Sequence, residues 1–177
     1  DVAALLRKIR ERGVPLSEYA GVSPLYGIKT GFNEAFLIDT ATRDQLVRDD
    51  PTASEIIKPY LRGQDIGRWS PEWAGLWMIV MKSSSDHDWP WSGAASESDA
   101  EAILAQTYPS IHRRFKELES FRFDGKLKGL RHREDQGRHW WELRPCAYYG
   151  EFDGPKLLVK RIAFYSEITR SVGPMMV

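Results

Sequence analysis

The sequence has a single cysteine, Cys146, in 177 residues. That excludes an internal disulfide framework and a cysteine-based zinc site, and it fits a reducing cytoplasm, the expected location. A basic N-region followed by an apolar run is missing, so no secretory signal is visible. Long apolar runs are missing too. The longest, Leu76-Trp77-Met78-Ile79-Val80-Met81, is far too short to span a bilayer, and no membrane partner is expected. Net charge is also absent: 25 Lys and Arg stand against 25 Asp and Glu. This argues against a protein held to nucleic acid mainly by bulk charge.

Several catalytic signatures are lacking as well. No Walker-type phosphate loop is present, and no G-x-G-x-x-G follows a strand. There is no G-x-S-x-G nucleophile elbow. The Asn-Pro-Pro-aromatic motif with which amino-methyltransferases grip a target amine is missing, and so is a glycine-rich loop for S-adenosylmethionine. The chain starts without Met and stops at Met175-Met176-Val177; it is expected to be a piece of a longer polypeptide.

Aromatic residues, by contrast, are plentiful: seven Trp, seven Tyr and seven Phe. Core packing accounts for most such residues, and an aromatic-lined binding surface is the alternative. Charge is unevenly distributed. Arg113, Arg114, Lys116, Arg122, Lys126, Lys128, Arg131, Arg133 and Arg138 crowd one stretch, whereas Asp39 to Glu55 is acid-rich. A neutral protein with one basic face can still meet phosphates there.

Periodicity predicts an amphipathic helix over residues 1–12, with Leu5, Leu6 and Ile9 on one face, ended by Gly13 and Pro15. Residues 1–20 read as a helical linker segment and 21–177 as one domain, cut short at its C-terminal end. Strands are predicted over Ser23–Ile28 and Glu34–Asp39, joined by a tight loop at Lys29-Thr30-Gly31-Phe32-Asn33. A helix follows over Thr42–Val47, capped by Thr40, and a helical turn runs from Pro51 to Ile57. Gly75–Met81 is the clearest strand. Residues 82–98 read as a long loop, mobile in character. Ser98 is expected to cap a helix over Asp99–Gln106, and Pro109 to open another, with Ile111, Phe115 and Leu118 on one buried face. Phe123–His139 reads as an exposed basic loop. Trp140–Leu143, Lys156–Arg161 and Ala163–Thr169 read as strands, with Trp140 and Trp141 facing opposite sides. Helices and strands without a regular βαβ rhythm indicate α+β.

Three sets of residues carry groups suited to chemistry. Asp86-His87-Asp88 offers metal ligands but also reads as a solvated turn. His112, His132 and His139 match no known zinc spacing. Asp124-Gly125-Lys126 and Asp153-Gly154-Pro155-Lys156 echo the acidic-x-Lys end of a nuclease site. A nuclease needs a further carboxylate for Mg²⁺, and Asp-Gly is a common turn dipeptide. What remains is a recognition surface. Lys29, Thr30 and Asn33 lie on a glycine-containing loop; Lys suits phosphate or guanine, and Asn suits adenine. The Arg131–Arg138 stretch supplies guanidinium forks.

The segment Tyr26-Gly27-Ile28-Lys29-Thr30-Gly31-Phe32-Asn33-Glu34-Ala35-Phe36-Leu37-Ile38-Asp39 resembles the opening signature of the TaqI-like C-terminal specificity domain. That domain belongs to adenine-specific DNA methyltransferases and fused type IIG restriction-modification enzymes. Glu55-Ile56-Ile57-Lys58-Pro59-Tyr60-Leu61-Arg62-Gly63-Gln64-Asp65-Ile66 resembles its second block, and Tyr108-Pro109-Ser110-Ile111 the start of its following helix. Trp140-Trp141-Glu142-Leu143-Arg144-Pro145-Cys146-Ala147-Tyr148-Tyr149 resembles its third block, and Pro155-Lys156-Leu157 the strand after it. Lys160-Arg161-Ile162-Ala163-Phe164-Tyr165 departs from the family by being unusually basic.

The resemblance implies a target-recognition domain that reads double-stranded DNA beside a methyltransferase domain of the same polypeptide, in a bacterial defence system. S-adenosylmethionine and the reacting groups would lie in that other domain, so no catalytic residue, cofactor or metal is expected in this chain. The fold expected is a curved, mainly antiparallel sheet flanked by helices. Phosphate contacts are expected from Arg113, Arg114, Lys126, Lys128, Arg131 and Arg133. Base-edge readers are expected at Lys29, Thr30, Asn33, Arg138 and His139. The rival readings are a Mg²⁺-dependent nuclease domain and a protein-interaction module.

Overall fold

The computed structural model describes residues 1–161 and 167–177. The first helix, α1 (Val2–Arg12), is capped by the Asp1 side chain, which accepts from the Ala3 N–H. A short helix, α2 (Leu16–Ala20), follows. Neither contains a buried residue, and Val2, Leu5, Leu6 and Ile9 stand exposed along one stripe of α1.

The predicted strand Ser23–Ile28 joins no ladder among the described residues. Its expected partner segment begins instead as a helical turn, α3 (Asn33–Phe36), and only then becomes β1 (Leu37–Asp39). The Arg114 guanidinium holds that turn by donating to the carbonyls of Glu34 and Ala35. Ile28 pairs elsewhere, donating its N–H to the Val177 carbonyl. The side chain of Asp39, rather than Thr40, caps α4 (Thr40–Asp49) by accepting from the Thr42 N–H at 2.8 Å. Pro51–Glu55 forms a 3₁₀ turn, and Ile57–Pro59 forms β2.

The clearest predicted strand is β3 (Leu76–Ile79), which lies central in an antiparallel sheet of order β1-β3-β2. Leu37 faces Met78 on one side and Ile57 faces Ile79 on the other. Pro59 has no N–H to donate, which suits the end of an edge strand. Its carbonyl accepts from Met176, bringing the C-terminal segment alongside.

Ser96 caps α5 (Glu97–Thr107), two residues before the expected Ser98. Pro109 opens α6 (Pro109–Glu117) as expected, since a first-turn proline forfeits no helical bond. Ile111 and Phe115 are fully buried, and the Phe115 ring lies 5.3 Å from that of Phe36. Two further antiparallel pairs complete the chain: β4 (Phe121–Phe123) with β5 (Lys126–Lys128), and β6 (Lys156–Val159) with β7 (Ile168–Ser171). The architecture is mixed α and β. In place of one curved sheet, strand pairing among the described residues is divided between three small antiparallel sheets. Part of the predicted strand Ala163–Thr169 lies outside the described residues.

Two other expectations are corrected. Trp140–Leu143 is a turn, not a strand, and both tryptophans point inward. Within the expected loop 82–98, residues 82–96 are irregular but pinned, and Glu97 and Ser98 already belong to α5: Trp91 is fully buried and stacks on Trp89 at 4.9 Å. Trp91 also meets Trp141 edge-on at 6.4 Å, and Trp141 stacks on His139 at 4.6 Å. Each fully buried ring of this aromatic column contributes roughly 2–3 kcal/mol by burial. The abundance of tryptophan thus serves mainly the core, with Trp69 and Trp73 as exposed exceptions.

Candidate nucleic-acid interface

The cations expected to contact phosphate divide into two groups. Arg133 is buried. Its guanidinium donates to the carbonyls of Thr30, Asp135, Trp140 and Glu142, and burial pulls its pKa down to about 10. It therefore ties the Lys29–Asn33 loop to the 135–142 turn instead of facing a ligand. Arg114 is half-buried on the carbonyls of α3. Arg131 is surrounded by Glu97, Glu101 and Glu119, and its guanidinium covers the Trp140 ring at 4.8 Å. Arg113, Lys126 and Lys128 remain exposed. Arg113 lies 4.0 Å from Asp49.

The base-reading candidates divide similarly. His139 is buried against Trp141, and among the described residues neither ring nitrogen has a hydrogen-bond partner. Thr30 is buried, and its hydroxyl donates to Asn33 Oδ1 at 2.6 Å. That bond orients the exposed Asn33 amide and leaves its NH₂ group outward. Lys29 is exposed. Arg138 is exposed with one N–H on the Ser92 carbonyl at 3.0 Å. Gly31 has φ +66, and a Cβ there would meet the side chains of Arg133 and Asp135 at 3.3 and 3.1 Å. The close approach that glycine permits is therefore to the protein's own chain.

Beside this loop stands a hairpin where a loop was expected. Asp124 and Gly125 have φ of 49 and 72, the two positive values that a type I′ turn requires. All six strand residues, Phe121–Phe123 and Lys126–Lys128, are exposed. The hairpin is fastened at its base. Leu130 and Arg131 donate N–H groups to the carbonyls of Leu118 and Glu119, and the Phe121 ring lies 6.0 Å from Phe32. That last contact sets the hairpin next to the Lys29–Asn33 loop. A shallow open depression of about 490 Å³ follows the loop from Ile28 to Glu34 and is bordered by Asp135.

Glu142, which composition and periodicity do not single out, organises the neighbouring core. Glu142 is fully buried. Its carboxylate accepts from Trp91 Nε1 at 2.9 Å and from the backbone N–H groups of Ser84 and His139 at 3.0 and 3.1 Å. A lone Glu between Trp141 and Leu143 was the available signal, because a carboxylate in an aromatic segment must find donors or lose its charge.

The side chains suited to metal or nuclease chemistry are engaged separately. Asp124 occupies the exposed hairpin turn. Lys156 Nζ donates to the carbonyls of Phe152, Gly154 and Gly173, and burial lowers its pKa. Asp86 accepts from the Cys146 N–H at 2.7 Å. His112 meets Glu101, and His132 meets Ser120. Among the described residues, no group of three His, Cys, Asp or Glu side chains is gathered to hold a metal. No helix among them is long and apolar enough to cross a membrane. No protein-family model matches the chain, and no curated protein matches it.

Proposed function

We propose that this chain is a target-recognition module that binds double-stranded DNA in a sequence-specific way for an adenine-N6 methyltransferase of a restriction-modification system. The observation that carries the reading is the patch where the Lys29–Asn33 loop abuts the β4–β5 hairpin through Phe32 and Phe121. Lys29, the Asn33 amide, Arg122, Lys126 and Lys128 all stand exposed there. Glu34 and Asp135 border the depression along the loop, so a phosphate is disfavoured inside it, while amino groups on base edges are welcome. The cations of the hairpin suit the phosphate strands alongside.

The link to a methyltransferase rests on the ordered blocks from Tyr26 to Leu157 that resemble the TaqI-like specificity domain. On this reading S-adenosylmethionine, the amine-gripping motif and any nuclease belong to other parts of the polypeptide. The uncovered apolar stripe of α1 suits docking on the neighbouring catalytic domain.

The test is selection of the 177-residue chain on a randomised duplex library at low salt. Enrichment of one short sequence is expected. Lys29→Ala and Asn33→Ala should each relax the preference at one position, by roughly 1–3 kcal/mol for a good bidentate contact. Failure to retain duplex, or retention with no sequence preference, overturns the reading.

A further inference from the structure

The β4–β5 hairpin carries an inference beyond this assignment, which rests on the DNA-binding reading just given. Its register pairs Phe121 with Lys128, Arg122 with Leu127 and Phe123 with Lys126. Side chains alternate across a strand, and directly opposed residues share a face. Phe121, Phe123, Lys126 and Lys128 therefore lie on one face, and Arg122 and Leu127 on the other. Phe121 leans on Phe32, so the first face is turned toward the body of the protein at its base. The face with Arg122 and Leu127 is turned away.

Charge and size both point to a nucleic-acid groove. Between Phe121 and Lys128 there are three cations, Arg122, Lys126 and Lys128, against one acid, Asp124. Among the described residues none of these cations has a hydrogen-bonding or ionic partner, in contrast to Arg131, which has three. Two paired strands lie about 4.8 Å apart, and the major groove, about 12 Å wide, admits a two-stranded ribbon. The tight Asp124-Gly125 turn keeps the leading end narrow. We propose that the β4–β5 hairpin enters the major groove with its outward face toward the base edges, and that Arg122 is a specificity-determining residue that reads a guanine. Its planar guanidinium presents two parallel N–H groups to O6 and N7. Leu127, directly opposite, supplies an apolar contact beside it. Lys126 and Lys128, on flexible stems, reach sideways to the phosphates on the groove walls.

The experiment compares wild type, Arg122→Ala, Arg122→Lys and the double variant Lys126→Ala/Lys128→Ala on the same randomised duplex library, with binding measured over a salt series. Arg122 is exposed and without internal partners among the described residues, so its variants should melt like wild type. Arg122→Ala should lose discrimination at a single G·C pair by roughly 10- to 100-fold. Arg122→Lys should lose the same discrimination while keeping the salt dependence, because a point charge cannot form the fork. The lysine double variant should weaken all sequences alike and make the salt slope shallower by about two. Unchanged preference in Arg122→Ala, or a loss spread evenly over all sequences, overturns the groove-reading role and leaves the DNA-binding assignment standing. If the wild-type chain selects no sequence, that assignment falls and the role of Arg122 falls with it.

Discussion

Arg133 sits in a run of polar and basic residues, and composition alone places such a run in solvent. Its burial depends on groups that composition cannot see: the carbonyls of Thr30, Asp135, Trp140 and Glu142 converge on one guanidinium. Arginine offers five N–H donors in a fixed fork, so it can satisfy several carbonyls at once. With its pKa pulled to about 10 by burial, it stays protonated at neutral pH. Removing it leaves those carbonyls without a partner. Arg133→Ala should therefore lower the unfolding free energy by about 3 kcal/mol or more. Arg133→Lys should recover little, because one ammonium cannot span the four acceptors. Urea denaturation checks this, and a midpoint unchanged in Arg133→Ala would show the brace to be unimportant. Among the site residues, the exposure of Lys29 and Asn33 was legible from their place around Gly31, whose positive φ makes a tight turn, although Asn33 starts α3 and is not a loop residue. His139 was not, since only its stacking on Trp141 takes it inside.

At the scale of elements, the strongest local signals are the ones that held. The apolar run around β3, the Pro109 start of α6 and the face formed by Ile111 and Phe115 each rest on a short-range rule. The caps moved by one or two residues, to Asp39 and Ser96, because neighbouring side chains compete equally well for the same N–H groups. Ser23–Ile28 failed as a strand because a ladder needs a partner, and the partner's first turn is captured by Arg114. The hairpin replaces part of the exposed loop expected over Phe123–His139: Asp-Gly between Phe-Arg-Phe and Lys-Leu-Lys carries a short-range turn signal, which the basic composition of the stretch masks. What fixes the hairpin on the body is Gly129, with φ +112. A Cβ there would lie 2.7 Å from the carbonyl oxygens of Leu118 and Glu119. Gly129→Ala should cost about 1–3 kcal/mol and loosen the ribbon more than the core. Amide hydrogen exchange is expected to accelerate across residues 121–128 while β3 stays protected. Equal protection of both in Gly129→Ala would remove the case for a pivot.

For the whole molecule, a net charge of zero makes the number of free cations more informative than their total. The sequence suggested phosphate contacts from Arg113, Arg114, Lys126, Lys128, Arg131 and Arg133. If all of these released counterions from duplex DNA, the slope of log affinity against log salt would be about −5. The structure engages Arg114, Arg131 and Arg133 internally, which leaves Arg113, Lys126 and Lys128 and a slope of about −3. The two values separate widely in practice. Raising salt from about 50 to about 200 mM should weaken binding roughly 60-fold with the shallower slope, against roughly 1,000-fold with the steeper one. Fluorescence anisotropy of the wild-type chain with its selected duplex measures this directly. A slope near −5 would mean that Arg114, Arg131 and Arg133 leave their carbonyl and carboxylate partners to meet the phosphates, so that binding reorganises the 131–142 turn. A slope near zero would mean that the exposed cations do not face the phosphate strands at all. The shallow slope is expected because ungluing Arg133 from four carbonyls costs more than one phosphate contact in water returns.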